Sequence, residues 1–121
     1  MLAPGGRRRG DVYWVNLDPA WPDECNKVRP AVIVSNDGAN RRAERLGRGV
    51  ITVVPLTSNA SRVHPFQVLL PEGSGGLRGL SKAQAEQVRS VSMGRLTDRL
   101  GALDQALLAD LDRALRLHLA L

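Results

Sequence analysis

Arg29, Thr57 and Ser58 are the residues whose types and placement best fit a chemical site. Arg29 stands at the entrance of the apolar run Ala31-Val32-Ile33-Val34, and Thr57 and Ser58 at the exit of Val53-Val54-Pro55-Leu56. Each run reads as a buried strand with a polar group at its end. If both strands belong to one small barrel, a guanidinium and two hydroxyls meet at its rim. That set suits a phosphodiester, because the fork of arginine matches phosphate oxygens and hydroxyls donate to them.

Other chemistries find less support. The chain has no G-x-S-x-G elbow, and its single cysteine, Cys25, lies in a loop with no obvious histidine partner. Gly73-Ser74-Gly75-Gly76 lacks the Lys-Ser/Thr ending of a phosphate loop and precedes no good helix, so loop flexibility explains it better. His64 and His118 are the only histidines, and no Cys/His metal-ligand spacing occurs. A carboxylate-only magnesium site stays open, and so does phosphodiester cleavage without metal. RNA carries its own nucleophile, the 2′-hydroxyl, so a protein need only position it and stabilise charge on a phosphorane-like transition state. Such a site would leave DNA intact. Arginine, with a pKa above ~12, is easier to accept as clamp and acid than as base. His64 titrates in a better range, although a solvated histidine before a strand-opening proline reads the same way.

The charge balance points towards polyanions. The formal net charge is +5 and the pI is near 10.6. Arg7, Arg8 and Arg9 form one cluster, and Arg41, Arg42, Arg45 and Arg48 another. Basicity alone fits nucleic acid, an anionic surface or an acidic protein partner equally well. The clusters also read plainly as a solvated tail and an exposed loop. At 121 residues the chain is long enough for one moderate core. Tyr13, Trp14, Trp21 and Phe66 are its only aromatics, so that core must be mostly Leu, Val, Ile and Ala. No apolar run approaches the ~20 residues of a membrane span, and the N-terminus lacks the apolar region of a signal peptide. One cysteine allows no intrachain disulfide. A soluble cytoplasmic protein is expected.

The elements that must position these groups follow from pattern. Residues 1–9, rich in Gly, Pro and Arg, read as a disordered basic tail, and 10–121 as a single domain. Strands are expected over 11–17, 29–35, 49–56, 66–70 and 85–91, with a short one at 96–100. Asn36-Asp37-Gly38 is a turn signal, residues 39–48 a basic and partly helical connection, and 71–79 an irregular loop. Residues 104–118 give the clearest helix, with Asp104 as cap and Leu108, Leu111 and Leu115 at helical spacing. Asp112 and Arg116 are spaced for an i,i+4 pair on its outer face. Five or six short strands followed by one helix fit a mainly β fold with α, a small bent barrel with a C-terminal helix packed on it. The lack of β-α-β alternation argues against a doubly wound sheet.

In their order, these segments resemble the MazF/PemK family, the toxin half of bacterial toxin–antitoxin pairs. Arg9-Gly10-Asp11-Val12-Tyr13-Trp14-Val15-Asn16-Leu17-Asp18-Pro19 is similar to the family's opening strand. Arg29-Pro30-Ala31-Val32-Ile33-Val34-Ser35-Asn36-Asp37, followed by Asn40-Arg41, resembles its second, and Val54-Pro55-Leu56-Thr57-Ser58 its third. Pro65-Phe66-Gln67-Val68 resembles the fourth, and Glu86-Gln87-Val88-Arg89-Ser90-Val91 the E/D-Q-I-R/K-T/S segment. The match covers about residues 9–119. The resemblance implies an SH3-like barrel of the CcdB/MazF type, a homodimer, and metal-independent, sequence-specific cleavage of single-stranded RNA, mRNA included. No cofactor is implied. The products would carry a 2′,3′-cyclic phosphate and a 5′-hydroxyl. Arg29 matches the family's catalytic arginine and Thr57 its catalytic threonine. Ser58 sits beside that threonine, and Gln87 matches a residue lining the groove near the dimer interface. Glu24, Lys27, Asn36, Asn59 and His64 join Ser58 and Gln87 as expected RNA contacts. A cognate acidic antitoxin of the MazE kind is expected to insert a flexible tail into the same groove.

The first loop departs from the family pattern. In Trp21-Pro22-Asp23-Glu24-Cys25-Asn26-Lys27-Val28-Arg29-Pro30, Glu24 aligns with the usual glutamate but Cys25 replaces the usual Gln. The cleaved sequence therefore does not carry over. Trp21 fits stacking on a base and covering the barrel edge equally well. Two other readings stand beside the nuclease: a non-catalytic RNA-binding barrel, and a CcdB-like gyrase-binding toxin, a family that lacks the Arg29/Thr57 pairing.

Overall fold

A computed structural model describes residues 6–17 and 28–121. In chain order the described elements are β1 (Asp11–Asn16), β2 (Val28–Ile33), α1 (Asp37–Leu46), β3 (Val50–Thr57), β4 (Gln67–Leu70), β5 (Ser81–Gln84), β6 (Arg89–Ser92), β7 (Leu96–Ala102) and α2 (Gln105–Leu119). All strand pairs are antiparallel, along the path β4-β5-β3-β2-β1-β7, with β6 joined to β3. The mainly β class and the C-terminal helix agree with the sequence reading. Two details correct it. The described residues form seven strands, not five or six, and β4 and β7 end the path without pairing to each other, so the sheet is not closed into a barrel.

The extra strand comes from residues 81–92, where a single strand over 85–91 is expected. A 3-10 turn at Ala85–Gln87 splits the segment into β5 and β6. Both lie against one edge of β3, β6 beside Val50–Val53 and β5 beside Leu56–Thr57. Pro55, which has no N–H to give a ladder, falls in the gap between the two pairings.

Alternation along the strands sends side chains to two faces. One face carries Val12, Val32, Val54, Leu56 and Ala83, which pack with Val68, Leu70, Leu103 and the α2 residues Leu111 and Ala114. The other carries Tyr13, Val15, Ala31, Ile33, Ile51, Val53, Val91 and Leu96, and the α1 residue Ala43 packs there. As expected, Asp104 caps α2, its carboxylate accepting the Leu107 N–H at 2.8 Å. Leu111 is fully buried, with Leu108 and Leu115 packed beside it.

Asn36-Asp37-Gly38 starts a helix and is not a turn. The Asn36 side chain accepts the Ala39 N–H at 2.8 Å, and α1 runs on to a left-handed Gly47 at φ 66°. Asparagine serves turns and helix N-termini by the same short side-chain bond, which is why the two look alike in sequence. Asn40, fully buried in α1, donates to the Ser35 carbonyl at 2.9 Å and ties the helix to the end of β2.

The basic cluster read as a disordered tail is docked at Arg7, Arg8 and Arg9. Arg7 donates to Glu44 from Nη1 at 2.6 Å and also from its backbone, and its guanidinium lies 5.7 Å from the Tyr13 ring centre. The Arg8 N–H donates to Asp11. Arg9 donates from its backbone to Asp37 at 2.7 Å, from Nε to the Val34 carbonyl at 2.9 Å, and from Nη2 to Asp112. Asp112 thus pairs with Arg9 and not with Arg116.

Candidate active site

Register places the two leading site residues. In β1 and β2, Val15 lies opposite Arg29. In β2 and β3, the pairs Ile33 with Val53, Val32 with Val54 and Ala31 with Pro55 end the ladder, and the next same-face positions in that register are Arg29 and Thr57. In β3 and β5, Thr57 lies opposite Lys82. One row therefore crosses four strands as Val15, Arg29, Thr57 and Lys82, all on the face that carries Ala31, Ile33 and Val53. Arg29 of β2 and Lys82 of β5 thus stand on either side of Thr57 on one face of the sheet. Arg29 and Thr57 are both half-buried.

The loop after β3 turns back on this row. Thr57 Oγ1 accepts the Asn59 N–H at 3.2 Å. Asn59 Oδ1 in turn accepts from the Ser61 hydroxyl at 2.9 Å and from its N–H at 3.4 Å. Lys82 Nζ donates to the Arg62 carbonyl at 2.6 Å. A hydroxyl has one proton and two lone pairs, so Thr57 can accept the Asn59 bond and still donate its own proton. Ser58 and Asn59 are exposed beside it.

The remaining expected contacts lie further from the row. His64 stacks on Phe66, with ring centres 5.2 Å apart and planes 4° from parallel, and Phe66 tilts against His118 of α2 at 6.3 Å. The His64 N–H donates to Gln67 Oε1 at 3.1 Å, and Gln67 Nε2 donates to Glu86 at 2.7 Å. His64 therefore belongs to a cluster reaching towards α2. Gln87 is exposed in the 3-10 turn between β5 and β6, and Arg89, two residues on, stands opposite Val53 on the face of the Arg29 row. The side-chain oxygen of Asn36 is committed to the start of α1. Glu24 and Lys27, with Trp21 and Cys25, lie outside the described residues.

Sequence reading does not single out Lys82. The available signal is its rarity, since lysine occurs only at 27 and 82 among 17 basic residues. Among the described residues no group of three or more His, Cys, Asp or Glu is placed to hold a metal ion. None of the described helices is long and apolar enough to cross a membrane.

Comparison with known proteins adds to this geometry. The family of PemK-like, MazF-like toxins of type II toxin–antitoxin systems matches residues 8–119. The chain belongs to the PemK/MazF toxin family. It is 58% identical over 114 residues to endoribonuclease MazF9 of Mycobacterium tuberculosis, covering 94% of this chain and 97% of that one. To endoribonuclease EndoA of Bacillus subtilis it is 31% identical over 115 residues, covering 94% and 95%. Among solved structures it resembles MazF from Deinococcus radiodurans, with a TM-score of 0.76, 25% identity and coverage of 98% and 100%. A mycobacterial endoribonuclease solved in complex with its cognate antitoxin gives 0.75 at 27% identity, covering 98% and 97%.

Proposed function

We propose that this toxin-family endoribonuclease cleaves single-stranded RNA at the row of Arg29 and Thr57, without a metal ion. The observation that supports the reading is the strand register: carried two residues past the Ala31–Pro55 pair, it brings Arg29 of β2 and Thr57 of β3 to the same face of the sheet. In the proposed step the substrate's 2′-oxygen attacks the adjacent phosphorus and the bond from phosphorus to the 5′-oxygen breaks. The 2′-hydroxyl gives up its proton and the departing 5′-oxygen gains one, leaving a 2′,3′-cyclic phosphate and a 5′-hydroxyl. Charge builds on the non-bridging oxygens, where fixed donors help most. Arg29 supplies two parallel donors as clamp and is suited to protonate the leaving oxygen; Thr57 adds a third donor. Arginine ionises too high to serve comfortably as base.

Ser58, Asn59 and Gln87, exposed on or beside this region, are proposed to hold flanking nucleotides, together with Glu24, Lys27, Asn36 and His64 where the strand extends further. The chain acts in the cytoplasm as a homodimer, and a cognate acidic antitoxin neutralises it by occupying the same cationic groove. The toxin–antitoxin complex of its structural relative supports that partner.

The test incubates purified protein with a long RNA of many sequence contexts and with its all-deoxy counterpart. Cleavage that resists EDTA, spares the deoxy strand and is lost in Arg29→Ala supports the reading. Intact RNA with a retained gel shift would replace it with a non-catalytic RNA-binding module, and inhibition of DNA supercoiling with a gyrase-binding one.

A further inference from the structure

Lys82 is a buried cation that the proposed chemistry does not use. Only 9% of it is exposed, and among the described residues it makes one hydrogen bond, to the Arg62 carbonyl, and no ion pair with a carboxylate. An ammonium held away from water by a carbonyl, with no carboxylate of the described residues beside it, is costly, and an apolar side chain of similar volume is often as stable or more so at such a place. Packing therefore does not account for a lysine here.

Its position does. Lys82 lies directly opposite Thr57, and its single bond reaches over to the far end of the loop that Thr57 begins. Along that loop the Asn59 N–H donates to Thr57 Oγ1, the Ser61 hydroxyl to Asn59 Oδ1, and Lys82 Nζ to the Arg62 carbonyl. Both ends of the arc are thus anchored on the same row of the sheet. A carbonyl accepting from an ammonium makes a charge-assisted bond, roughly twice as strong as a neutral one.

We infer that Lys82 is a positioning residue for the cleavage reaction: by holding the Arg62 carbonyl it closes the Thr57–Arg62 loop, keeps the Asn59 N–H on Thr57 Oγ1, and so aims the Thr57 proton at the substrate phosphate. The last clause rests on the proposed role of Thr57, whereas the clamp on the loop does not.

Lys82→Met keeps the unbranched apolar stem, one atom shorter, and removes the charge and donor; Lys82→Arg keeps both charge and donor. Steady-state cleavage of an oligoribonucleotide, thermal melting, and amide hydrogen exchange at Asn59 and Ser61 are measured on each full chain. Lys82→Met is expected to melt at or above the wild-type temperature, to exchange faster at both amides, and to lose ~10- to 100-fold in kcat with KM near wild type, the scale of a small misplacement of a reacting group. Lys82→Arg should recover most of kcat. Wild-type kcat or unchanged exchange in Lys82→Met overturns the inference. So does a melting loss that tracks the activity loss, or failure to fold, since either makes the lysine structural. If wild-type protein leaves RNA intact, the proposed function fails, and the exchange data still decide the clamp.

Discussion

On the α2 side of the sheet, Val12, Val32, Val54, Leu56 and Ala83 form an aliphatic layer continuous with Leu111 and Ala114. On the opposite side Tyr13, Val15, Ala31, Ile33 and Val53 begin a similar layer, which gives way to Arg29, Thr57 and Lys82. The same strands build both. Val54 and Leu56 of β3 point one way into ordinary core, while Val53 and Thr57 point the other way. The period of two lets one strand carry stability on one face and chemistry at the end of the other. Substitutions on the two faces should then fail in different ways.

The largest effect is expected in the row. Arg29→Ala should lower the cleavage rate at least ~100-fold, the scale on which removing one aimed donor acts, and Thr57→Ala somewhat less. RNA binding should fall far less than cleavage, and melting should barely move, because half-exposed residues outside the core shift stability by only ~0.5 kcal/mol. Equal losses of binding and cleavage would mean these residues hold substrate without acting on it. Next comes the α2 face. Leu111→Ala should destabilise by ~2–5 kcal/mol through lost burial and a cavity, seen as a lower urea midpoint at unchanged slope. The folded fraction should cleave normally. A Leu111→Ala chain that is fully folded yet inactive would show that the faces are not separable.

This division was only partly legible in the sequence. Arg29 and Thr57 stand out because each ends a long apolar run, and such runs announce their own strands. Lys82 does not, because β5 is Ser-Lys-Ala-Gln, four residues with no β-branched member. That strand exists through its pairing with Leu56–Thr57 on one side and Gln67–Leu70 on the other. Context of that kind overrides intrinsic strand preference, so the lysine's place is a tertiary fact. The arginine clusters show the same limit. Arg7–Arg9 and Arg41–Arg48 look alike in sequence, yet Arg7 and Arg9 meet Glu44 and Asp112, which lie 37 and 103 positions away. Arg41, Arg42, Arg45 and Arg48 are exposed and make no ion pair among the described residues, so they carry charge still available to a partner.

A smaller effect is therefore expected at Arg9. Its guanidinium joins the end of β2 to α2 through Val34 and Asp112, and the ion-pairing side chains are about one-third exposed, at 29% and 32%. Arg9→Met should cost about 1 kcal/mol, near the upper end for partly exposed pairs. A double-mutant cycle with Asp112→Asn should return a coupling of about 0.5–1 kcal/mol. Zero coupling would place Arg9 with the solvated arginines of α1.

The smallest effect separates the faces by pH. Tyr13, the only tyrosine, is 3% exposed on the face of the Arg29 row. Burial, then the Asp11 carboxylate, raises its phenol above the ordinary 10.0; Arg7 and Arg99 pull it down in part, and Glu44 adds to the rise. Below pH 10 the phenol is neutral in both folded and unfolded chains, and its contribution to stability is intact. As pH rises further, the unfolded chain ionises first while the folded chain keeps its proton. The folded state then binds more protons, so stability falls with pH until the folded phenol also ionises. Urea midpoints measured on both sides of pH 10 should drop for the wild type and drop less for Tyr13→Phe. The phenolate absorption band should rise together with unfolding. If phenolate forms at its ordinary pH in chains that remain folded, Tyr13 is open to water, and the apolar end of this face is not sealed from the polar row beside it.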